Sequence, residues 1–354
     1  MGLPEINIIF KTKGLTAIKR SARGIVACIL KDDTEGGSAL NVYKSILDVD
    51  FAHYTQRNYE YLKLIYEGGP SKVIVARVKT DAADLAAPLK VLKNLKWNYL
   101  TVPAIDEAGV TLVSAWIKEA RDQDHKTFKA VLPKCVADHE GIVNLTTDNF
   151  SSALGTTAFT TAEYCARIAG VLAGLSLARS STYFALSDLS AADVPDDPGE
   201  RIDKGELVIV FDGESYMIGR GVNSLTTFTA ERGEAFSKIK IMEGVDLYQD
   251  DISETFKKAY TGKVINDYDN KQAFVAAIRA YQKALEGDVL DRSFDNTAGI
   301  DLEEQRAYLE GKGIDTTEMD DTAVAKANTG SKVFVSSSVK FVDAMEDLKL
   351  TCNM

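Results

Sequence analysis

Between Gly24 and Leu145 the chain alternates short, β-branched runs with helical runs of ten or more residues, and few architectures accommodate that rhythm. Ile25-Val-Ala-Cys-Ile-Leu30 is continuously apolar, as a strand buried on both faces must be. Lys72–Val78, Tyr99–Val102, Phe128–Leu132 and Gly141–Leu145 read as further strands, with helices over Asn58–Glu67, Ala82–Leu95 and Ala108–Arg121 between them. Strands joined by crossover helices lie parallel, with the helices covering the sheet. The expected class is therefore α/β, a mainly parallel sheet with flanking helices, occupying residues 24–235.

Downstream the pattern changes. Thr161–Ala178 predicts a helix carrying Ala166, Ala169, Gly170, Ala173 and Gly174, small residues that let another backbone approach closely. Its apolar run, Ile168 to Ala178, is flanked by Arg167 and Arg179 and falls short of the roughly 20 residues a bilayer span needs. Glu206–Phe211, Asp212-Gly213 and Ser215–Gly219 predict a hairpin, because Asp-Gly supplies the positive φ of a tight turn. A strand is expected over Lys238–Met242. Asp251-Ile-Ser-Glu254 has the form of a capping box opening a helix to Tyr260. A helix over Asp269–Glu286 shows helical spacing at Phe274, Ala277, Ile278, Tyr281 and Leu285. A charged helix over 301–312 and a short one over 320–327 complete a C-terminal helical part, residues 236–329.

Both ends are written as strands without an evident local partner. In residues 330–354, Val333, Val335, Val339 and Phe341 share one face of an extended strand, and after Glu346 and Asp347 a second alternation follows at Leu348, Leu350 and Cys352. In residues 1–23, Ile6, Ile8 and Phe10 alternate in the same way. Each terminal strand needs a sheet, in its own subunit or in another molecule. Residues 1–31 carry six basic side chains against Glu5 alone, whereas residues 301–354 hold eleven acids and six bases, so the ends are of opposite sign.

Little points to chemistry. The net charge of −11 argues against general nucleic-acid or anionic-membrane binding. The four cysteines form no Cys-x-x-Cys and read as small core residues of a reducing compartment. The three histidines have no metal-ligand spacing; His139 reads as a loop residue. The paired carboxylates, such as Asp32/Asp33 and Asp250/Asp251, read as loop or cap residues on solvated faces. No phosphate-binding glycine loop or complete nucleophile elbow is present. No catalytic residue, cofactor or metal is expected. A hydrolase-like α/β enzyme with an unrecognised site, or another self-assembling filament protein, remain as alternative classes.

The run Asn328-Thr-Gly-Ser-Lys-Val-Phe-Val335, followed by Val339-Lys-Phe-Val-Asp-Ala-Met-Glu-Asp347, resembles the C-terminus of contractile tail sheath proteins, with the nearest match to small sheaths of PBSX-like prophage tails and R-type bacteriocins of Gram-positive bacteria. Arg220-Gly-Val-Asn-Ser-Leu-Thr226, Gly262-Lys-Val-Ile-Asn-Asp267 and the opening Met1-Gly-Leu-Pro-Glu-Ile-Asn-Ile match too. The resemblance implies a subtilisin-like but non-catalytic core. It also implies stacked, usually hexameric rings around an inner tail tube protein, with baseplate and tail terminator proteins as further partners. Terminal arms would add strands to neighbouring subunits, placing Ile6, Ile8, Phe10, Val333, Val335, Val339, Phe341, Leu348, Leu350 and Cys352 in inter-subunit strand exchange. Segments near Leu15–Gly24 and Asn328–Ser331 would flex while the core moves as a rigid body. Val333–Phe341 is expected in the sheet of its own subunit, and Leu348–Cys352 next door. The tube-facing helix would be Asp301–Lys312 or Asp269–Glu286. The protein would be made in the bacterial cytoplasm, without membrane insertion, and built into a phage tail or tail-like particle.

Overall fold

The computed structural model describes residues 17–20, 23–153 and 157–353. They form two compact units: residues 23–247 with 342–353, and residues 17–20 with 248–341.

The first unit is built on a seven-stranded sheet. Its strands are β1 (Ile25–Lys31), β2 (Leu40–Tyr43), β3 (Lys72–Val78), β4 (Tyr99–Thr101), β5 (Lys129–Pro133), β6 (Ile142–Leu145) and a late addition, Glu206–Leu207, that pairs with β6. From one edge the order is Glu206–Leu207, β6, β5, β4, β1, β3, β2. Every pairing is parallel except β2 against β3, so the sheet is the mainly parallel one the rhythm predicts. In β1 the period of two divides the side chains between two cores. Val26, Cys28 and Leu30 face helices α1 (Gln56–Glu67) and α4 (Thr161–Gly174), supplying Leu62, Ile65, Ile168 and Val171. Ile25, Ala27 and Ile29 face α2 (Ala86–Leu92) and α3 (Glu107–Asp122), supplying Leu89, Leu92, Val113 and Ile117. A continuously apolar strand is what a helix layer on each face requires.

The helices begin where their caps allow. Thr55 accepts from Asn58 N, Asp106 from Gly109 N, and Thr160 forms a reciprocal capping box with Glu163. The small residues of α4 meet α1: a Cβ on Gly170 would lie 2.1 Å from the Ile65 carbonyl oxygen, and one on Gly174 would lie 1.9 Å from that of Gly68. Outside the main sheet, β7 (Asp148–Ser152) pairs antiparallel with β8 (Ala158–Phe159) and with β9 (Leu189–Asp193). Past α5 (Pro198–Asp203), Glu206–Leu207 is β10, and β11 (Ile209–Phe211) and β12 (Tyr216–Ile218) form the expected hairpin. Asp212 accepts two backbone N–H groups in its turn, and Gly213 takes φ 101°.

Helix α6 spans Ile239–Thr255, which corrects two sequence expectations. Lys238–Met242 is not a strand, and Asp251 opens no helix but lies inside this one. The cause is a buried stripe that is charged. Glu243 and Asp246 face Arg23, Arg121 and Lys129: Arg23 reaches Glu243 at 2.8 Å, Lys129 reaches Glu243 at 2.9 Å, and Arg121 reaches Asp246 at 2.9 Å. Carboxylates at Glu243 and Asp246 interrupt the buried stripe of Ile239, Met242 and Leu247, which blurs the apolar spacing that announces a helix. Burial raises the Asp246 carboxyl, but Arg121 and Lys129 outweigh it and hold it at about 2.

In the second unit α6 ends in a π-helical turn, Phe256–Tyr260. It is followed by α7 (Tyr268–Leu285), β13 (Thr297–Ile300), α8 (Leu302–Glu310), α9 (Asp321–Lys326) and β14 (Val335–Ser338). Strands β13 and β14 pair antiparallel, Ile300 opposite Val335. Gln282 of α7 is buried, and its amide donates to the Thr297 carbonyl (3.0 Å), to Ser337 Oγ (2.9 Å) and to the Tyr248 hydroxyl (2.9 Å). One side chain thus seats both strands of the small sheet. No helix among the described residues is long and apolar enough to cross a membrane.

Candidate assembly surfaces

The C-terminal residues separate into a strand, a strap and a free arm. Val333, Val335, Val339 and Phe341 are all half-buried. Only Val335 lies in a strand; Val333 lines an apolar groove with Phe256, Tyr260 and Ile265, while Phe341 bridges to Leu290 and meets the Tyr248 ring edge-on at 6.3 Å. The strand is therefore shorter than the alternation predicts.

Residues 342–347 then lie along the α/β unit as a strap held by its acidic side chains. Lys240 Nζ donates to the Val342 carbonyl at 2.6 Å, and Lys238 pairs with Asp343. Glu346 sits in a cup, its side chain only 6% exposed, where its carboxylate accepts from Ser180 Oγ at 2.7 Å and Thr182 Oγ1 at 2.6 Å. Lys238 lies 3.5 Å from it and Arg220 3.8 Å. Arg220 donates to Asp347 at 2.6 Å. Burial pulls the Lys238 ammonium down, but Asp343 and Glu346 more than compensate and raise its pKa; Asp347 raises that of Arg220. The acidic break in the alternation is thus the strap's anchor. The sequence held both halves of the signal, Glu346-Asp347 and Lys238-x-Lys240, but reading the latter as a strand concealed the match.

After Asp347 the contacts stop. Leu348 is 89% exposed and Leu350 75%, and Cys352 is exposed as well. The second terminal strand expected here is not formed in the isolated chain: residues 348–353 belong to no strand. Cys352 is also not the core residue its type predicts, unlike Cys28, Cys135 and Cys165, which are buried. Ile6, Ile8 and Phe10 lie outside the described residues, as do Leu15, Thr16, Ser21 and Ala22 of Leu15–Gly24.

Asn328–Ser331, the segment expected to flex, is exposed at Asn328, Gly330 and Ser331 and held in this conformation at Thr329 and by Asn266. Thr329 is fully buried, its hydroxyl donates to the Lys332 carbonyl at 2.6 Å, and the Asn266 amide donates to the carbonyls of Gly330 (2.7 Å) and Lys332 (2.9 Å).

The polar groups inside the α/β unit are structural. His139 lies in a loop but is buried, with Nδ1 accepting from Gly141 N at 3.0 Å, and burial lowers its pKa. Asp32 is buried rather than solvated. Burial works to raise its carboxyl, yet hydrogen bonds from Thr34, Asn58 and Thr55 hold it at about 2, tying the end of β1 to the start of α1. In the second unit Asp251 is also buried and accepts from the Tyr281 hydroxyl at 2.5 Å. Among the described residues no group of three or more His, Cys, Asp or Glu is placed to hold a metal ion.

The family model described as the phage tail sheath protein central domain matches residues 79–224, and that of the phage tail sheath C-terminal domain matches residues 231–354. The tail sheath protein of Clostridium phage phiCD119 is 36% identical over 366 residues, covering 100% of this chain and 99% of the relative. The phage-like element PBSX protein XkdK of Bacillus subtilis is 30% identical over 197 residues, 54% of this chain and 40% of the relative. Among solved structures, the helical sheath of the anti-feeding prophage in its contracted state superposes with a TM-score of 0.72 at 16% identity, covering 100% of this chain and 99% of that one. The α/β unit, the small β13–β14 sheet and the full-length match together place the chain in the phage tail sheath family, as a structural subunit of a tail sheath.

Proposed function

We propose that this chain polymerises into a contractile sheath around an inner tail tube, stores energy in an extended lattice and contracts to drive the tube through a cell envelope. The observation that carries the reading is the arm: a segment with two leucines stripped of cover, following a strap that is firmly held. An uncovered apolar alternation gains both ladder hydrogen bonds and burial by adding to a neighbour's sheet edge. The receiving sheet is β13–β14, two-stranded within one chain and seated by Gln282. Leu348, Leu350 and Cys352 supply one exchanged strand, and Ile6, Ile8 and Phe10 supply another from the basic end.

Contraction needs two packings of one sequence, the contracted one lower in free energy. The solved anti-feeding prophage sheath of matching fold is in a contracted state, which supports that reading. No enzymatic step is required, and the α/β core serves as a subtilisin-like scaffold without catalysis. Rings of six, the tube, the baseplate and a tail terminator complete the assembly. Helix α8 is the better tube-facing candidate, since α7 buries much of its surface while α8 buries only Gln305 and Leu309.

Deleting Leu348–Met354 leaves a folded subunit that no longer forms tubes. Negative-stain electron microscopy checks it, and hollow striated tubes from the truncated protein overturn strand exchange at this end.

A further inference from the structure

We propose that Glu346 is a plug that clamps the C-terminal strap to its own subunit and fixes the point from which the exchanging arm departs. The inference rests on the arm being the exchanged strand, and adds which residues stay at home. Three acids of the strap, Asp343, Glu346 and Asp347, face two cations of the α/β unit, Lys238 and Arg220, while Lys240 holds the strap's first carbonyl, that of Val342. Surface ion pairs taken singly contribute little. Glu346 differs because its carboxylate is almost fully covered and takes two short hydroxyl hydrogen bonds, the charge-assisted kind that is strongest. The cup is itself built in: Thr182 Oγ1 also accepts from Gly221 N at 3.0 Å, which joins it to the residue following Arg220. Between these anchors Met345 projects fully into solvent, so the strap is gripped at Val342, Asp343, Glu346 and Asp347 and not along its whole length.

The clamp gives the arm a defined root. If the strap were loose, an arm starting at Val342 would search a far larger volume and could enter a neighbour's sheet in several registers. With the plug seated, freedom begins at Leu348, and the ordering cost of exchange falls on the residues that pair.

Spin labels on the full-length monomer test this. One label is attached at Met345→Cys in a Cys352→Ser background and another at native Cys352; the other three cysteines are buried. The expected spectra show a slow, restricted label at 345 and a fast one at 352. Glu346→Lys makes the label at 345 as fast as that at 352. Ser180→Ala/Thr182→Ala, which changes no residue of the strap, shifts it in the same direction, and unchanged tryptophan fluorescence shows that the α/β unit stays folded. A label at 345 as mobile as that at 352 in the unsubstituted protein overturns the clamp, as does a folded cup variant that leaves it restricted. The truncation of Leu348–Met354 reports separately on strand exchange. It can fail while the strap remains clamped, and it can succeed while the strap proves loose.

Discussion

The contact between α1 and α4 gives the most exacting test of the fold. In Gly170→Ala, the new methyl would lie 2.1 Å from the Ile65 carbonyl oxygen and 2.8 Å from its carbon, where ordinary contact begins near 3.4 Å. Both obstacles are backbone, so no side chain can rotate away. Relief requires the helices to part by about 1 Å, which loosens a contact that buries Leu62, Ile65, Ile168 and Val171. Overpacking of this kind costs roughly 1–3 kcal/mol, and backbone against backbone belongs at the upper end. Helix propensity works the other way, since alanine in place of glycine in an exposed helix gains up to about 1 kcal/mol. The expected net loss is about 2 kcal/mol, or roughly 4–8 °C in Tm for a unit of this size. Urea unfolding followed by tryptophan fluorescence reads it directly, because Trp97 and Trp116, the two tryptophans, both lie in this unit. Gly233→Ala in the same unit, where φ is −73° and an added Cβ meets nothing within 4 Å, is the control and shifts stability by no more than ~0.5 kcal/mol. A Gly170→Ala protein as stable as the parent, or more so, refutes the close approach.

Three further outcomes follow from buried polar groups. Asp246→Ala leaves Arg121 and Lys129 without their shared carboxylate and destabilises the α/β unit by roughly 3–5 kcal/mol, measurable by the same urea titration. In the unsubstituted protein Asp246 and Asp32 titrate at about 2 when folded, below the unfolded value near 3.8. Their contribution is therefore complete above about pH 5 and is lost as pH falls through 4 towards 2, and a unit whose stability is flat over that range contradicts both assignments. Gln282→Ala removes three donations to Tyr248, Thr297 and Ser337 and speeds amide hydrogen exchange across Val335–Ser338 by roughly tenfold or more, with exchange at the parent rate counting against its seating role.

The α/β unit was legible because its strands and most of its helices follow simple periods. Ile25–Leu30 is apolar on both faces for the reason the rhythm implies, and Gly170 and Gly174 mark a close approach that does occur. Reading failed where the interior is polar. Helix α6 carries Glu243 and Asp246 on its buried side, so its apolar stripe of Ile239, Met242 and Leu247 is broken by charge. Strand β13, with Thr297 and Gly299, has too weak a signal to register, and its place depends on Gln282 reaching over from α7. The ends divide in the same way. The alternation at Leu348, Leu350 and Cys352 was visible, whereas the cup that grips Glu346 is assembled from positions 180, 182, 220 and 238 and exists only after folding.

The placement of β1 has a mechanical consequence. The backbone runs from Gly24 straight into the strand with β3 on one side and β4 on the other, rather than into an edge. Tension arriving along the chain from residues before Gly24 therefore enters mid-sheet. A pull directed along the strand would act across hydrogen bonds that are laddered to β3 from Ile25 to Lys31. Such bonds are loaded in shear and must yield together, whereas a strand peeled from an edge gives way one bond at a time. With helix layers locking the alternate side chains above and below, slipping by one residue would exchange the contents of both cores. A pull along β1 would therefore load the ladders to β3 and β4 together.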